Sequence, residues 1–484
     1  MSALLLLLLL RLVFWFTTFP NPDEAYYWLW GQHPALSYYD HPPLLAWVQA
    51  AFTTGFGQSF FMLRLPNLLS NAALFWTYWR ISRYLYGEKA RSSFWLVVLL
   101  VLTSPLYFLF LALAWPDHLL ITFSLGSAFL FITFLDGYRS NSKGENWRLY
   151  GAATLLGLAG LCKYNAVFVG LGFGATILAN KSLRPLLRDR RLYLATAIAL
   201  SVLVPILLWN VSNDFQSFRY YADRSVRSSS LSLNFLAPLG FLALSSITVS
   251  PFHCARFYCA WKSGFPGIRT QSFYFSVAFW VFAASTFSIT ALSLVSTALY
   301  YWNITAYLLL FPLIPSLVPA SPRLSVPAQV YGLCFAALLV VHYSVLPLSA
   351  LVSKDGDPDS RMLFGWPQVA AVVTQAAASE QPVLVTTDYR SAAALAYQLN
   401  NKNVMAISDR VDQFDFWSDG RAIAGQNAIL ISDDWHPLPS QLLAQFARTS
   451  EPITVTVDRF GVWIKNYYVR RGYGFRATPT LNLP

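Results

Sequence analysis

Charge is scarce in this chain. Asp, Glu, Lys and Arg supply only 12% of its 484 residues, about half the share found in ordinary soluble domains, where it is roughly 25%. A water-soluble globular enzyme is therefore excluded as a description of the whole molecule. Cysteine is almost absent as well. Cys162, Cys254, Cys259 and Cys334 are the only four, each in or beside an apolar segment. Cys254 and Cys259 stand five apart with no matching Cys or His pair, which rules out a zinc module. No glycine-rich phosphate loop occurs, so nucleotide chemistry of that kind is not expected. Low-complexity tracts and internal repeats are also missing.

Acidic residues are especially few before residue 350. That part holds 22 Lys and Arg against 10 Asp and Glu, whereas the remainder holds 12 against 13. The net charge of +11 thus belongs to the apolar part of the chain, where loop cations set membrane orientation. Nucleic acid is not an expected partner.

What the sequence does have is apolar and aromatic mass: 56% hydrophobic residues, with 17 Trp and 26 Tyr. Apolar runs able to cross ~30 Å of hydrocarbon recur through residue 349. The first, from Ser2 to Phe19, reads as a retained helix, because no small-residue cleavage site precedes Pro20. The others cover about 65–79, 92–113, 118–135, 149–162, 165–179, 192–209, 232–253, 273–293, 302–319 and 326–349, giving eleven spans in all. With eleven, one side of the bilayer receives sixteen cations: Arg80, Arg83, Lys89, Arg91, Arg139, Lys143, Arg148, Lys181, Arg184, Arg188, Arg190, Arg191, Arg256, Lys262, Arg269 and Arg323. That side must be the cytoplasm. The expected architecture is a polytopic α-helical membrane domain, 1–349, with a first outer loop at 20–64. A small extracytoplasmic α/β domain, 350–484, follows. Strands are expected at Pro382–Asp388, Asn403–Ser408, Ala428–Asp434 and Ile453–Asp458, and helices at Ser391–Leu399 and Ser440–Arg448.

The scarce ionisable residues collect on the face opposite the cations. Asp23 and Glu24 open an aromatic segment containing Tyr26 and Tyr27. Tyr39, Asp40 and His41 precede a stiff Pro42-Pro43 pair. Sugars stack their apolar faces on Tyr and Trp, and a carboxylate beside them can accept the proton of an incoming hydroxyl or amine. The plainer alternative is interfacial charge beside an aromatic belt. Asp117 follows Trp115-Pro, and Lys163-Tyr164 interrupts an apolar run on the side away from the other cations. A snorkelling lysine is one explanation, and an anion ligand for a lipid phosphate is the other. Arg219 and Arg224 alternate with aromatics and invite the same phosphate reading, although Asp214 and Asp223 are available to pair with them. Asn210-Val-Ser and Asn303-Ile-Thr read as chance glycosylation matches, and His253 and His342 read as structural.

Five stretches carry a family resemblance: Pro22-Asp-Glu-Ala-Tyr-Tyr-Trp, Tyr39-Asp-His-Pro-Pro-Leu, Trp115-Pro-Asp, Leu161-Cys-Lys-Tyr-Asn-Ala and Pro205-Ile-Leu-Leu-Trp-Asn. Together they resemble the bacterial branch of the protein O-mannosyltransferases, which is similar to the aminoarabinose transferases that modify lipid A. Both have the glycosyltransferase C superfold. The likeness covers roughly 20–320, and the tail from Gly365 to Phe475 resembles the periplasmic domain of many members. It implies an inner-membrane enzyme that takes a sugar from a polyprenyl phosphate and transfers it, with inversion, on the periplasmic face. The acceptor would be an envelope lipid, a glycan or a protein. Asp23 matches the first-loop aspartate that activates the acceptor, with Glu24 beside it, and Asp117 matches the acidic residue of the next outer turn. Aminoarabinose transferases carry Glu-Lys-Pro-Pro where this chain has Asp40-His41-Pro42-Pro43. A histidine holds less charge than lysine near neutral pH, so the departure moves the phosphate grip towards Lys163. It also makes Asp40 and His41 a corner for a divalent metal. Tyr26, Tyr27, Tyr39 and Tyr164 would contact sugar or acceptor. A transporter or lipid flippase using the same charged cavity is the alternative. Transporters concentrate charge near the bilayer midplane, whereas here Arg11 alone lies deep in a span.

Overall fold

The computed structural model describes residues 2–141, 145–226, 233–264, 272–320, 325–377, 380–408, 410–417 and 424–476. Lys143, Arg269 and Arg323 lie outside them. The chain divides into two compact units that do not follow sequence order. One gathers Met1–Arg11, Ala35–Leu45 and Arg64–Ala337, and the other Leu12–Pro34, Ala46–Leu63 and Leu338–Pro484.

The first unit is helical, and proline decides where its apolar runs break. Pro205 and Pro251 occupy first turns, where a missing N–H costs nothing. The run 190–212 accordingly bends by 47° between Arg190–Val202 and Val204–Ser212, and the run 237–262 by 95° between Ala237–Val249 and Pro251–Lys262. Among the described residues three helices are long and apolar enough to cross a membrane: Pro116–Ser140, Tyr274–Leu292 and Val326–Val345. The number rises to seven if each of four bent pairs is one span. This count does not confirm the eleven spans expected. Ala90–Leu102 and Asn146–Cys162 are short α-helices, and Tyr300–Tyr307 and Phe311–Ala320 wind as 3-10 helix.

Close packing and hydroxyl donors hold this unit together. A Cβ on Gly172 would come within 2.6 Å of the Val281 Cα, so the helices Val167–Ala179 and Tyr274–Leu292 meet backbone to backbone. Small residues allow such approaches between apolar helices. The 3-10 stretch has irregular carbonyls that tyrosines satisfy. Tyr78 donates to Leu308 O at 3.0 Å, Tyr86 to Pro312 O at 2.6 Å and Tyr274 to Leu309 O at 3.0 Å, while Tyr107 donates to Ile304 O. Arg11 is also accommodated here, its guanidinium donating to Phe108 O at 2.6 Å and lying over the Phe108 ring. Asn303 is buried, and its carboxamide bonds Ser285, Thr286 and Tyr307. His253 bonds Leu100 O at 2.8 Å.

In the second unit six strands among the described residues form one sheet: β1 (Val383–Thr386), β2 (Val404–Ala406), β3 (Ala428–Asp433), β4 (Phe446–Thr449), β5 (Ile453–Arg459) and β6 (Val462–Phe475). The order is β2-β1-β3-β6-β4, with β5 also on β6. β1 runs parallel to β2 and β3, and β6 antiparallel to β3, β4 and β5. Val385, Leu430, Phe446 and Phe475 share its core. The four expected strands and the helix Tyr389–Leu399 are present. The expected helix Ser440–Arg448 is corrected: helix stops at Leu443, and Phe446 turns back to pair with Phe475 in β4. Against Tyr389–Leu399 packs Pro22–Gln32 from the first outer loop.

At the carboxyl ends of β1 and β3, Lys465 Nζ meets Asp433 Oδ2 at 2.8 Å, with the two side chains 0% and 2% exposed. His436 Nδ1 lies 3.0 Å from the other Asp433 oxygen. Burial alone would raise the Asp433 pKa. The His436 hydrogen bond and the Lys465 charge outweigh that and hold it well below the usual carboxylate range. Burial pulls Lys465 down, opposed by Asp433, Asp434 and Asp388.

Candidate active site

The strongest constellation lies within the first unit, where two helix ends converge. Asp117 is in the first turn of Pro116–Asn141, where backbone N–H groups favour negative charge. The preceding turn is gripped from the helix Phe60–Tyr86. Asn67 Nδ2 donates to Leu111 O at 3.3 Å and to Leu113 O at 2.5 Å, and Asn71 Nδ2 donates to Leu111 O at 3.1 Å. Next to Asp117, His118 Nδ1 is 2.7 Å from Ser70 Oγ. Lys163 caps the far end of Asn146–Cys162 in extended conformation, before the short 3-10 turn Tyr164–Ala166. Its Nζ reaches Asp117 Oδ1 at 2.9 Å and Oδ2 at 3.0 Å. The pair is nearly sealed, with side chains 8% and 1% exposed, and the ammonium stands 4.8 Å from the Tyr301 ring centre. An ammonium has three donors, and the described residues give two hydrogen bonds from it, both to Asp117.

From Lys163 an aromatic path leads to the first-loop motif. Tyr164 packs edge-on to Tyr221 at 4.9 Å. The Tyr221 hydroxyl contacts both the Asp40 carbonyl and His41 Nδ1, the latter at 3.0 Å. Tyr39 packs on Tyr220 at 4.9 Å. Asp40, His41, Tyr39 and Tyr164 belong with Asp117 and Lys163 to one unit. Sequence reasoning missed Tyr221 and Tyr301. Tyr220-Tyr221 stands inside the stretch whose arginines drew attention, and the helix Gln216–Val226 turns its tyrosines, rather than Arg219, towards the motif. Arg219 is exposed and has no side-chain partner among the described residues. The side chain of Arg224 lies outside them. Among the described residues no group of three or more His, Cys, Asp or Glu is placed to hold a metal, so Asp40 and His41 gain no third ligand of those types.

The remaining first-loop residues belong to the second unit. Asn21 opens Pro22–Gln32 with a capping box: its side chain accepts the Asp23 N–H at 3.1 Å, and Glu24 Oε2 accepts the Asn21 N–H at 2.8 Å. Glu24, fully buried, thus fixes the helix start. Asp23 is half-buried, one oxygen 3.5 Å from the Tyr389 hydroxyl. Tyr26 stacks on Phe414, and its hydroxyl accepts the Gln413 N–H at 2.8 Å. Tyr27 is buried edge-on to Trp30 at 5.0 Å. Both tyrosines serve packing in this structure.

Known proteins resemble this chain in sequence and fold. Residues 40–209 match the family described as dolichyl-phosphate-mannose-protein mannosyltransferase, a stretch holding Asp40, His41, Asp117 and Lys163. A lipid A galacturonosyltransferase, RgtD of Rhizobium johnstonii, is 27% identical over 393 residues, covering 78% of this chain and 77% of the relative. Two crystal structures of ArnT from Cupriavidus metallidurans share the fold. The one bound to undecaprenyl phosphate has TM-score 0.64 at 17% identity, covering 96% of this chain and 97% of that one. The apo form has TM-score 0.66 at 15% identity, covering 96% of each.

Proposed function

We infer that this chain, a membrane glycosyltransferase of the type to which ArnT and the mannosyltransferase family belong, moves one sugar from a polyprenyl phosphate to a lipid A-like envelope lipid. The relatives it matches are transferases, which removes the support for a transporter or flippase. We place the reaction on the periplasmic face of the bacterial inner membrane, in a domain of about eleven spans that includes the bent and short helices, with the sheet domain also periplasmic.

In this reading the acceptor oxygen or nitrogen attacks the anomeric carbon as the bond to the carrier phosphate breaks on the opposite face, inverting the centre. The bonding pair leaves with the phosphate oxygen, whose growing charge the remaining Lys163 N–H stabilises. Asp117 holds that ammonium by both oxygens and against Tyr301, which makes it a positioning residue for Lys163. The proton leaving the acceptor is assigned to Asp23, the carboxylate that matches the acceptor-activating motif. His41, set by Tyr221, is assigned to the phosphate as a secondary donor, and Tyr39 and Tyr164 to the sugar. The buried Asp117–Lys163 pair carries the proposal: ionisable residues among apolar helices mark functional pathways, and two of the three Lys163 donors are bonded to Asp117.

The test is donor consumption. Purified protein, polyprenyl-phosphate sugars and envelope lipids are incubated, and products are weighed by mass spectrometry, with Asp23→Asn in parallel. A sugar-sized mass gain on the lipid that falls by a factor of about 10²–10⁴, the usual worth of a positioned base, in the variant is expected. Full turnover in Asp23→Asn overturns its role as base, and no turnover with any donor overturns the transferase reading.

A further inference from the structure

The second unit contains a cavity of about 720 Å³ at the amino ends of β1 and β2, inside the range of roughly 300–1,000 Å³ typical of ligand sites. Its construction follows from the sequence. Asn400 takes the left-handed conformation at φ 48°, ending Tyr389–Leu399, and the Asn401 N–H closes the turn on Ala396 O at 2.9 Å. The chain then enters β2 through Asn401, Lys402 and Asn403, presenting three polar residues in succession at one rim. Pro382 and Gln381, leading into β1, form a second wall.

The third wall is aromatic. His33, just past the end of Pro22–Gln32, stacks on Trp417 with ring centres 4.5 Å apart and planes 23° from parallel. His33 Nε2 faces the Lys402 carbonyl at 3.3 Å. Burial lowers the His33 pKa and the Lys402 charge adds to it, while the backbone contact to Lys402 opposes them. His33 therefore acts at neutral pH as a flat, uncharged surface.

The polar groups around this aromatic wall are not spent on the fold. Among the described residues no hydrogen-bond partner takes the Lys402 ammonium, the Asn403 or Gln381 carboxamide, or the Trp417 indole N–H, although all four belong to cavity-lining residues. Glu380, the acidic member of the rim, is engaged by Arg471 at 2.6 Å. What remains is a flat aromatic surface, two amides that both donate and accept, an indole donor and one cation. Aromatic faces receive the C–H faces of pyranose rings, amides match vicinal hydroxyls, and an ammonium adds a preference for an anionic substituent.

We propose that this cavity is a binding site for an acidic saccharide, one bearing phosphate or carboxylate, and that it holds the polar headgroup of the acceptor. The second half of this proposal rests on the transferase reading above; the first does not. The site explains why His33, in the first outer loop, is packed against the sheet domain's Trp417: the loop supplies one wall of the cavity.

Full-length protein is titrated with a hexosamine phosphate, a hexuronate disaccharide and a neutral glucose disaccharide, following saturation transfer in ligand proton spectra. Wild type and Asp117→Asn are expected to bind the acidic probes alike and the neutral one far more weakly. Lys402→Glu and Asn403→Ala, both at exposed positions that leave folding intact, should weaken acidic binding at least about tenfold, the worth of one charge-assisted hydrogen bond. The phosphate and carboxylate arms show which anion the lysine prefers. In the transfer assay Lys402→Glu should raise the acceptor KM and leave kcat and donor KM unchanged. Equal binding of all three probes, or of acidic probes by wild type and Lys402→Glu, overturns the site. Acidic binding that depends on Lys402, in a protein that transfers no sugar, keeps the site and overturns its assignment to an acceptor.

Discussion

Replacing Lys163 with Met keeps most of the side chain's apolar stem and deletes its charge beside a carboxylate that is 1% exposed. At ~3 Å and an effective dielectric of ~20 the attraction lost is roughly 5–6 kcal/mol before desolvation is counted. Desolvation offsets part of that, and removal of one partner from a buried pair costs about 3–5 kcal/mol. If the ammonium also meets the carrier phosphate, a loss of that size in the transition state lowers turnover by roughly two to four powers of ten. Two readouts separate folding from catalysis: thermal unfolding followed by intrinsic fluorescence, and sugar transfer measured by mass. Lys163→Met should fall in both. The double variant Asp117→Asn with Lys163→Met carries no buried charge, so its melting temperature should recover towards wild type, while transfer stays as low as in Lys163→Met. A double variant that recovers transfer together with stability would show the pair to be structural only. Full activity in Lys163→Met would refute the phosphate role outright.

Two further outcomes follow from the packing. The folded pKa of Asp433 is depressed, so its stabilisation is complete above the unfolded carboxylate value of about 3.9 and is lost as pH falls from there through the folded value. The protection factors of β3 and β6 amides, observed exchange set against intrinsic exchange at each pH, should therefore fall in acid in the wild type. In Asp433→Asn that acid dependence should flatten, with protection at neutral pH already reduced by about 3–5 kcal/mol because Lys465 is left buried alone; parallel acid profiles in the two proteins would contradict this. Gly172→Val forces apart two helices whose backbones touch, and a drop in melting temperature equivalent to about 1–3 kcal/mol is expected from overpacking. An unchanged melt would mean that the helices separate freely.

Much of the fold was legible because its signals are local. β1, β3 and β5 are short apolar runs bounded by turn residues, and they lie where expected. β6 was not recognised, since Lys465-Asn466 and Arg470-Arg471 interrupt its pattern; the buried Lys465 is tolerated chiefly through its ion pair with Asp433, a residue 32 positions away. Helix Leu44–Phe56 was absorbed into a loop because its apolar length is too short for a span. At the site, spacing pointed to Asp117 and Lys163 separately, and only the fold shows that they bind each other across 46 residues. Glu24 is the opposite case. Asn21-Pro-Asp-Glu is a capping box legible in the sequence, but the chemical interest of paired carboxylates drew it into the catalytic group. Tyr221 had no signal beyond its neighbours, because its value comes from reaching Asp40 and His41, 181 and 180 residues earlier.

The tyrosines that close on the 3-10 stretch change how sequences of this kind should be compared. Scoring schemes treat Tyr and Phe as near synonyms, since the rings have almost the same volume. At Tyr78, Tyr86, Tyr107 and Tyr274 the exchange would remove the donor from a main-chain oxygen, and at Tyr78, Tyr107 and Tyr274 that oxygen's partner is fully buried. An aligner that weights these four positions as aromatic in general will overrate a sequence with four phenylalanines and underrate a distant one that keeps the hydroxyls. For chains this rich in aromatic residues, the phenolic oxygen can carry the structural role, with the ring as its support.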